Sequence, residues 1–376
     1  MQSRRAFNRS GLYSAATLLA SQGHSLYGNS PAGDWGGVVT INNDATTNRL
    51  LFYSRNAYGQ LRFVRSVATG GKGSGGNLGS QGAISLNAGG NIIFAVNAGS
   101  NSITSFVFSK NVPVVQQLID SGGVRPISLT VGRRFVYVIN NGAKMGSVDQ
   151  INGFAVNPRS LNLAPLENGI SDLSADDVSP GQISLDPAQK NLIVTEKATN
   201  LIDVFSLDPD GSTGQLNSLP SSGKRPFGFG FSGSQTIVVS EAASATTSSY
   251  RLNSQTSTLS VVTPGLSNNG PGACWVSVTQ NGRYAYVSNF DSSQVTGFQV
   301  SDTGRLSPLP PAIFATPVVG NPIDSAIVGN RFFYLLSHFR NLSVVLSAFR
   351  INADGSLRPI GQISGLPLST VGLAAY

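Results

Sequence analysis

Short apolar runs alternate with polar turns along most of this chain, and the alternation recurs with the same internal order. One instance is "NGRYAYVSNFDSSQVTGFQV", residues 281–300. A turn leads into an apolar run that closes on Asn289; after a polar corner, a second run places Phe298 nine residues beyond that Asn. The same order appears in "FAVNAGSNSITSF" (Asn97, Phe106), "IVTEKATNLIDVF" (Glu196, Phe205), "VVSEAASATTSSY" (Glu241, Tyr250) and "INNDATTNRLLF" (Asn43, Phe52). Two longer versions run from Asn140 to Phe154 and from His338 to Phe349. The seven anchors are separated by 43 to 56 residues. Period-two alternation in runs this short predicts strands rather than helices.

Each unit opens on a further short strand such as "AISL", "ISLTV", "QISLD", "FGFGF" or "WVSV", and closes on one such as "GQLNSLP" or "GRLSPLP". Four strands in each repeat of this length is the pattern of a propeller blade. The first unit lacks an opening strand, because "GGVVTINND" begins directly with the anchor strand. The last residues, "TVGLAAY" (370–376), form an opening strand with no blade of their own. The prediction is all-β: a seven-bladed β-propeller of four-stranded blades, its ring closed by the C-terminal strand pairing into the first blade. Closure removes the exposed edges that an open array would leave.

Composition sharpens this picture. Only 11% of residues are charged and 43 are Gly, which suits tight turns and short strands. The formal charge is +7, but Arg4, Arg5 and Arg9 fall in the first ten residues and the other basic residues are scattered. No basic patch is interleaved with aromatics, which excludes a nucleic-acid footprint. No stretch reaches the roughly 18 apolar residues of a membrane span. The single cysteine, Cys274, excludes an internal disulfide and is read as buried and inert. Ser3, the Arg4-Arg5 pair and Phe7, followed by a mildly apolar stretch from Leu12 to Ala20, resemble a twin-arginine export signal. Residues 1–33 are therefore expected to be an export leader and linker. Residues 34–376 are expected to form the propeller, a monomer outside the cytoplasm.

With the units aligned, the chain resembles the lactonase-type seven-bladed propellers, among them bacterial 6-phosphogluconolactonase and fungal carboxy-muconate cyclase. The resemblance is carried by "NGRYAYVSN", by "NIIFAVNAGSNSITSF" and by the blade ends Gly304-Arg305-Leu306 and Gly355-Ser356-Leu357. It spans residues 38–376 and is nearest to an exported subgroup. It implies chemistry at the mouth of the central channel, carried by His, Glu and Arg. The family's opening strands often begin with His after Pro. None of the matching starts here carries His, and Gln182 stands where one would be.

The anchors and the strand starts are expected to meet at one mouth. Asn43, Asn97, Asn140 and Asn289 are read as structural turn residues. Glu196, Glu241 and His338 break the pattern and are the candidate catalytic groups. Two neighbouring carboxylates can raise one another's pKa for acid–base work. Alternatively they pair with Lys197 and Arg225. His338 is either a proton carrier or a polar corner residue. Arg125 and Arg225, each before Pro, can clamp a carboxylate or phosphate, or bind neighbouring carbonyls. Gln182 and Asp324 complete the candidate substrate contacts. The expected ligand is a small acid or a lactone. No cofactor is expected, and no spacing marks a metal, although a divalent cation at the mouth stays open. The Gly-rich stretch 70–80 reads as a flexible inter-blade loop, and the acidic stretch 172–180 as a solvated one. Two functions remain: a lactone hydrolase or lactone-forming enzyme, and a non-catalytic propeller that binds a ligand or protein.

Overall fold

The computed structural model describes residues 36–109 and 111–376; the expected leader, residues 1–33, lies outside them. Seven antiparallel sheets follow one another along the chain, each built from inner to outer strand. Blade 2 shows the plan: Ile84–Leu86, Ile92–Asn97, Ser102–Ser109 and Val112–Asp120. Blades 3 to 7 begin at Pro126, Pro180, Pro226, Ala273 and Asn321. Blade 1 takes its innermost strand, Val371–Ala375, from the far end of the chain, and this strand pairs antiparallel with Gly37–Ile41. The ring therefore closes as the missing opening strand required. Blade 6 departs from the plan. Its outer strand is interrupted, with Leu306–Pro308 and Ala315–Pro317 separated by a single helical turn, Pro311–Phe314.

The second strand of each blade is sealed on both faces. Ile92–Asn97, Asn191–Glu196, Thr236–Glu241 and Tyr284–Asn289 are buried at every position. A strand packed between two neighbouring sheets has no solvent face, so apolar residues fill most positions rather than alternating. A repeated tyrosine ties the blades together. Tyr137, Tyr286 and Tyr334 occupy the same place in blades 3, 6 and 7. Each donates its hydroxyl to a glycine carbonyl in the outer turn of the next blade: Gly211 at 2.8 Å, Gly355 at 2.8 Å and Gly59 at 2.9 Å. Those glycines have φ of 93°, 86° and 85°, which a side chain would strain.

Register corrects two of the seven anchors. Glu196, Glu241 and Asn289 each face the inner-strand residue just before that strand's bulge, namely Pro180, Pro226 and Ala273. In blade 7 the residue in that place is Ser337, opposite Pro322; His338 lies one step further and faces Asn321. Strand pairing there simply continues past the usual corner, to His338 against Val344 and Phe339 against Ser343. In blade 1 the place belongs to Ile41, opposite Val371. Ile41 pairs with Leu50, whereas Asn289 pairs with Gln294, so the first corner is longer. Asn43 stands inside that corner with φ 48°.

Tyr334→Phe removes one donor and leaves the Gly59 carbonyl buried and unmatched. The variant is expected to lose about 1–2 kcal/mol in denaturant unfolding. A change within error would mean that the tyrosine staple does not join blade 7 to blade 1.

Candidate functional site

The inner strand of a propeller blade presents an unpaired edge to the channel, and every buried N–H on it needs an acceptor. Side chains supply several of these acceptors. Ser128 Oγ accepts from Ile183 N at 3.2 Å, and Gln182 Oε1 accepts from Phe229 N at 2.7 Å. Asp324 Oδ2 accepts from Leu373 N at 3.0 Å and its Oδ1 from Ser325 N at 2.8 Å. Gln182 and Asp324, expected as substrate contacts, thus join the inner strands of adjacent blades, and Asp324 does so across the closure. Burial pushes the Asp324 carboxyl well above the ordinary carboxylate range, and its two backbone donors oppose this only in part.

The corresponding residue in blade 5 is Gly228, which has no side chain to offer. The acceptor comes instead from the Gly-rich stretch after blade 1. Gln81 bonds both backbone groups of Val276 in blade 6, accepting its N–H at 3.0 Å and donating to its carbonyl at 2.8 Å. A Cβ on Gly228 would lie 2.2 Å from Gln81 Oε1. The same short stretch reaches three further partners. Ser80 Oγ donates to the Ile127 carbonyl, Trp275 Nε1 donates to the Ser80 carbonyl, and Gln81 N donates to the Gly181 carbonyl. Residues 78–82 therefore lie across the channel as a plug held by blades 3, 4 and 6. The expectation of a flexible loop is corrected. Glycines bring the backbone close to the inner strands, and the unpaired strand edges bond it in place.

Glu196 and Glu241 are both fully buried. Neither takes its hydrogen bonds from the cations expected beside them. Glu241 accepts from Ser221 Oγ, Gly223 N, Ser248 Oγ, Tyr250 Oη and Thr246 Oγ1. Glu196 accepts from the Ser174 backbone and hydroxyl and from Thr199 Oγ1. Ser174 and Ser221 lie on the crossovers entering blades 4 and 5. Asn140 does the same work in blade 3, accepting from Ser121 Oγ at 2.9 Å. The anchor thus fastens the incoming crossover to the second strand. Each Glu is held by its own crossover rather than by a group shared with the other.

Blade 4 adds a second carboxylate. Asp203 faces Val194, diagonally adjacent to Glu196 on the same sheet face, where other blades place Thr104 or Thr296 against their Asn anchors. Asp203 is fully buried, and the Ser218 side chain and Ser174 backbone satisfy its oxygens only weakly. Burial first, then its contact with Glu196, raises the Asp203 carboxyl to about 8. The Asp203 carboxyl is therefore held protonated well above the ordinary carboxylate range.

The mouth itself is cationic. Lys197, one residue past the blade 4 anchor, is only 9% exposed. Its Nζ donates to the Gly79 carbonyl of the plug and lies 5.0 Å from the centre of the Phe227 ring. Burial lowers its ammonium to about 7, helped by repulsion from Lys144, Arg225 and Arg125. Arg125 and Arg225 have φ of 60° and 62°, a costly conformation for a side chain of that size. The amide of each is held by a corner Asn of the preceding blade, Asn101 at 2.9 Å and Asn200 at 2.7 Å. Asp149 stands near Arg125 and attracts its charge, while Arg225 is exposed. Cys274 lies among these cations, but burial pushes its thiol up to about 12, so it stays protonated. His338 occupies in blade 7 the place that Lys197 holds in blade 4. Burial lowers its pKa, its ring bonds the Leu368 carbonyl, and its Nε2 is buried without a partner.

The structure thus gathers Arg125 and Arg225 with Lys197 and Lys144, and leaves Glu196, Glu241, Gln182 and Asp324 occupied by bonds between strands and loops. Lys197 is the residue that sequence reasoning passed over, having read it as the partner of Glu196. Its signal was its place: one step beyond an anchor, strand alternation turns a side chain to the opposite face. Among the described residues no three His, Cys, Asp or Glu side chains gather as a metal-ligand set. Two clefts on the opposite face, one around Arg134 and Lys190 and one around Arg251 and Arg283, lie between outer turns of adjacent blades.

The Asp203 proton has a measurable consequence. Its folded pKa lies above the unfolded value of 3.8, so the folded state holds a proton that the unfolded state releases. That contribution is complete at low pH and is lost as pH rises from about 4 towards about 8. Asp203→Asn keeps a donor for Glu196 and removes the titration. Its unfolding free energy is expected to vary less than that of the parent between pH 5 and 8. An identical slope in both proteins would show that Asp203 is ionised throughout.

Comparison with known proteins agrees with this architecture. The family model described as "Lactonase, 7-bladed beta-propeller" matches residues 167–274, which include Lys197, Arg225 and both anchor glutamates. No curated protein matches the chain. Among solved structures, the periplasmic gluconolactonase of Pseudomonas aeruginosa superposes with a TM-score of 0.72 at 16% identity, covering 91% of this chain and 99% of its own. A provisionally assigned 6-phosphogluconolactonase of Bacteroides fragilis gives 0.69 at 16% identity, covering 93% and 100%. A protein of Lactobacillus plantarum gives 0.73 at 14%, covering 91% and 99%. At these identities the superpositions establish the fold. The chain is a seven-bladed β-propeller, and its residues 167–274 are similar to the lactonase propeller family.

Proposed function

We propose that the mouth binds a small organic acid or its lactone, and that the chain hydrolyses the lactone there. The observation that carries this reading is Lys197, a buried amine set against the Gly79 carbonyl and the Phe227 ring, whose charge Lys144, Arg225 and Arg125 disfavour. An amine with a pKa near 7 can accept a proton at neutral pH and return it. In this reading Arg125 and Arg225 hold the acid group of the substrate. Lys197 takes a proton from the attacking water. The carbonyl oxygen gains negative charge in the tetrahedral intermediate, and the cationic ring stabilises it. The ammonium then gives its proton to the departing ring oxygen. His338, with an unpartnered Nε2, is the second proton acceptor on the same strand position. Glu196 and Glu241, the first candidates for that chemistry, act here as positioning residues. One holds the corner that carries Lys197, and the other holds the crossover that carries Arg225.

The second reading is a propeller that binds the acid without turnover. The observation in its favour is the saturation of both glutamates by neutral donors. A panel of acidic and neutral lactones separates the two. On the hydrolase reading, activity rises through a pKa near 7, and Lys197→Met lowers kcat at least about 100-fold, a usual loss for a general base. Arg225→Gln, at an exposed site, raises KM for acidic lactones more than for neutral ones. A parent protein that binds the acids yet turns over no lactone would establish the binding reading instead.

Export is part of the same proposal. It rests on Arg4-Arg5 in their sequence context, and one similar structure is a periplasmic protein. Residues 1–33 fused to a reporter are expected to carry it out of the bacterial cytoplasm, and Arg4→Lys with Arg5→Lys to stop it. A reporter retained with the native leader would refute export by this route.

A further inference from the structure

The same mouth has a second chemical capacity, which rests on the proposed ligand site but does not require hydrolysis. A lysine that is to add to a carbonyl needs a neutral nitrogen, an electrophile held beside it, and no carboxylate that would keep it protonated. Lys197 meets these conditions. Its Nζ bonds a neutral backbone carbonyl, Gly79, and lies over the face of Phe227. Besides burial, the groups that act most on its charge are Lys144, Arg225, Cys274 and Arg125; three are cations and the thiol stays protonated, while Asp149 stands against Arg125. The equivalent positions on other blades hold Asn141, Ala242, Phe290 and His338, so a lysine is not a requirement of the fold at this place.

We propose that Lys197 forms an imine with the keto group of a small 2-oxo acid whose carboxylate is held by Arg225 and Arg125. The nitrogen lone pair adds to the keto carbon, and the carbonyl π pair moves to oxygen, which takes up a proton. The carbinolamine then loses that oxygen as water, leaving a carbon–nitrogen double bond. Amine plus ketone gives imine plus water, and no oxidant or reductant is required. The adjacent carboxylate places negative charge where the arginine forks can meet it in a planar, two-point contact. The lowered ammonium pKa makes the amine available at neutral pH, unlike an exposed lysine.

The test uses the full chain with pyruvate and cyanoborohydride at pH 7, followed by peptide mass mapping. Cyanoborohydride delivers hydride to the imine carbon and fixes the adduct as a secondary amine. Lys72, Lys144, Lys190 and Lys224 are exposed and serve as internal comparisons. Lys197 is expected to be labelled at least about tenfold faster than any of them, given the larger neutral fraction of its amine. Methyl pyruvate, which lacks the carboxylate, is expected to lose most of that preference. Arg225→Gln, which retains the lysine, is expected to slow labelling with pyruvate more than with the ester, because loss of the guanidinium raises the amine pKa for both but removes the carboxylate contact only for pyruvate. Labelling of Lys197 no faster than of the exposed lysines would overturn the imine. Equal pyruvate labelling in Arg225→Gln would overturn the carboxylate clamp. The hydrolase reading fails separately: if lactones are turned over and Lys197 takes no label, the imine alone is wrong. If Lys197 is labelled and no lactone is turned over, hydrolysis alone is wrong.

Discussion

Much of this structure depends on one constraint: the inner strands around the channel end in an unpaired hydrogen-bonding edge that is buried. An orphaned buried N–H costs about as much as a lost hydrogen bond with its desolvation, roughly 1–3 kcal/mol. The chain meets this cost locally, blade by blade. Ser128, Gln182 and Asp324 each offer an oxygen to the next inner strand. Gly228 cannot, and the main chain between blades 1 and 2 crosses the channel so that Gln81 can. The plug follows from a missing side chain in blade 5, and it in turn sets the floor of the mouth.

The outer half of each blade is governed by a related need. A crossover that leaves one blade and enters the next brings polar backbone and hydroxyl groups over a buried strand end. The anchor side chain receives them. Asn does this with one oxygen and one amide, and Glu does it with two oxygens and no donor. Glu241 shows the arrangement complete, with five neutral donors. Glu196 shows its limit. With Asp203 beside it, two acceptor-only groups meet, and burial together with Glu196 raises the Asp203 carboxyl to about 8. In blade 4, Glu at the anchor beside Asp203 therefore gives the fold a pH response.

The mouth gathers charge because each contribution sits on an element fastened in this way. The crossovers held by the anchors end at Arg125 and Arg225, and the corner held by Glu196 begins at Lys197. Local strain at the two arginines is fixed by a corner Asn of the preceding blade. Lys197 is kept from solvent by the plug and by Phe227. The cations then lie close enough to lower its proton affinity.

The chain's own pattern determined the seven blades, their four strands and the closing strand, because those follow from period-two alternation and a count of repeats. Burial of Cys274 was legible too. Register was less so. Spacing between Asn43 and Phe52 matched the repeat although a longer corner lay between them, and His338 stood one step beyond the true anchor position, Ser337. A one-residue slip reverses the face of a strand residue, and residue counting alone does not detect it. The partners of the glutamates, the role of the Gly-rich stretch and the prominence of Lys197 were decided by tertiary structure. Each depends on contacts between residues far apart in the chain, such as Gln81 with Val276, Lys197 with Gly79 and Asp324 with Leu373. Sequence alone determined which residues form strands; only the closed ring decided which unpaired edges and charges those strands bring together, because such groups acquire partners only when distant blades meet around one axis.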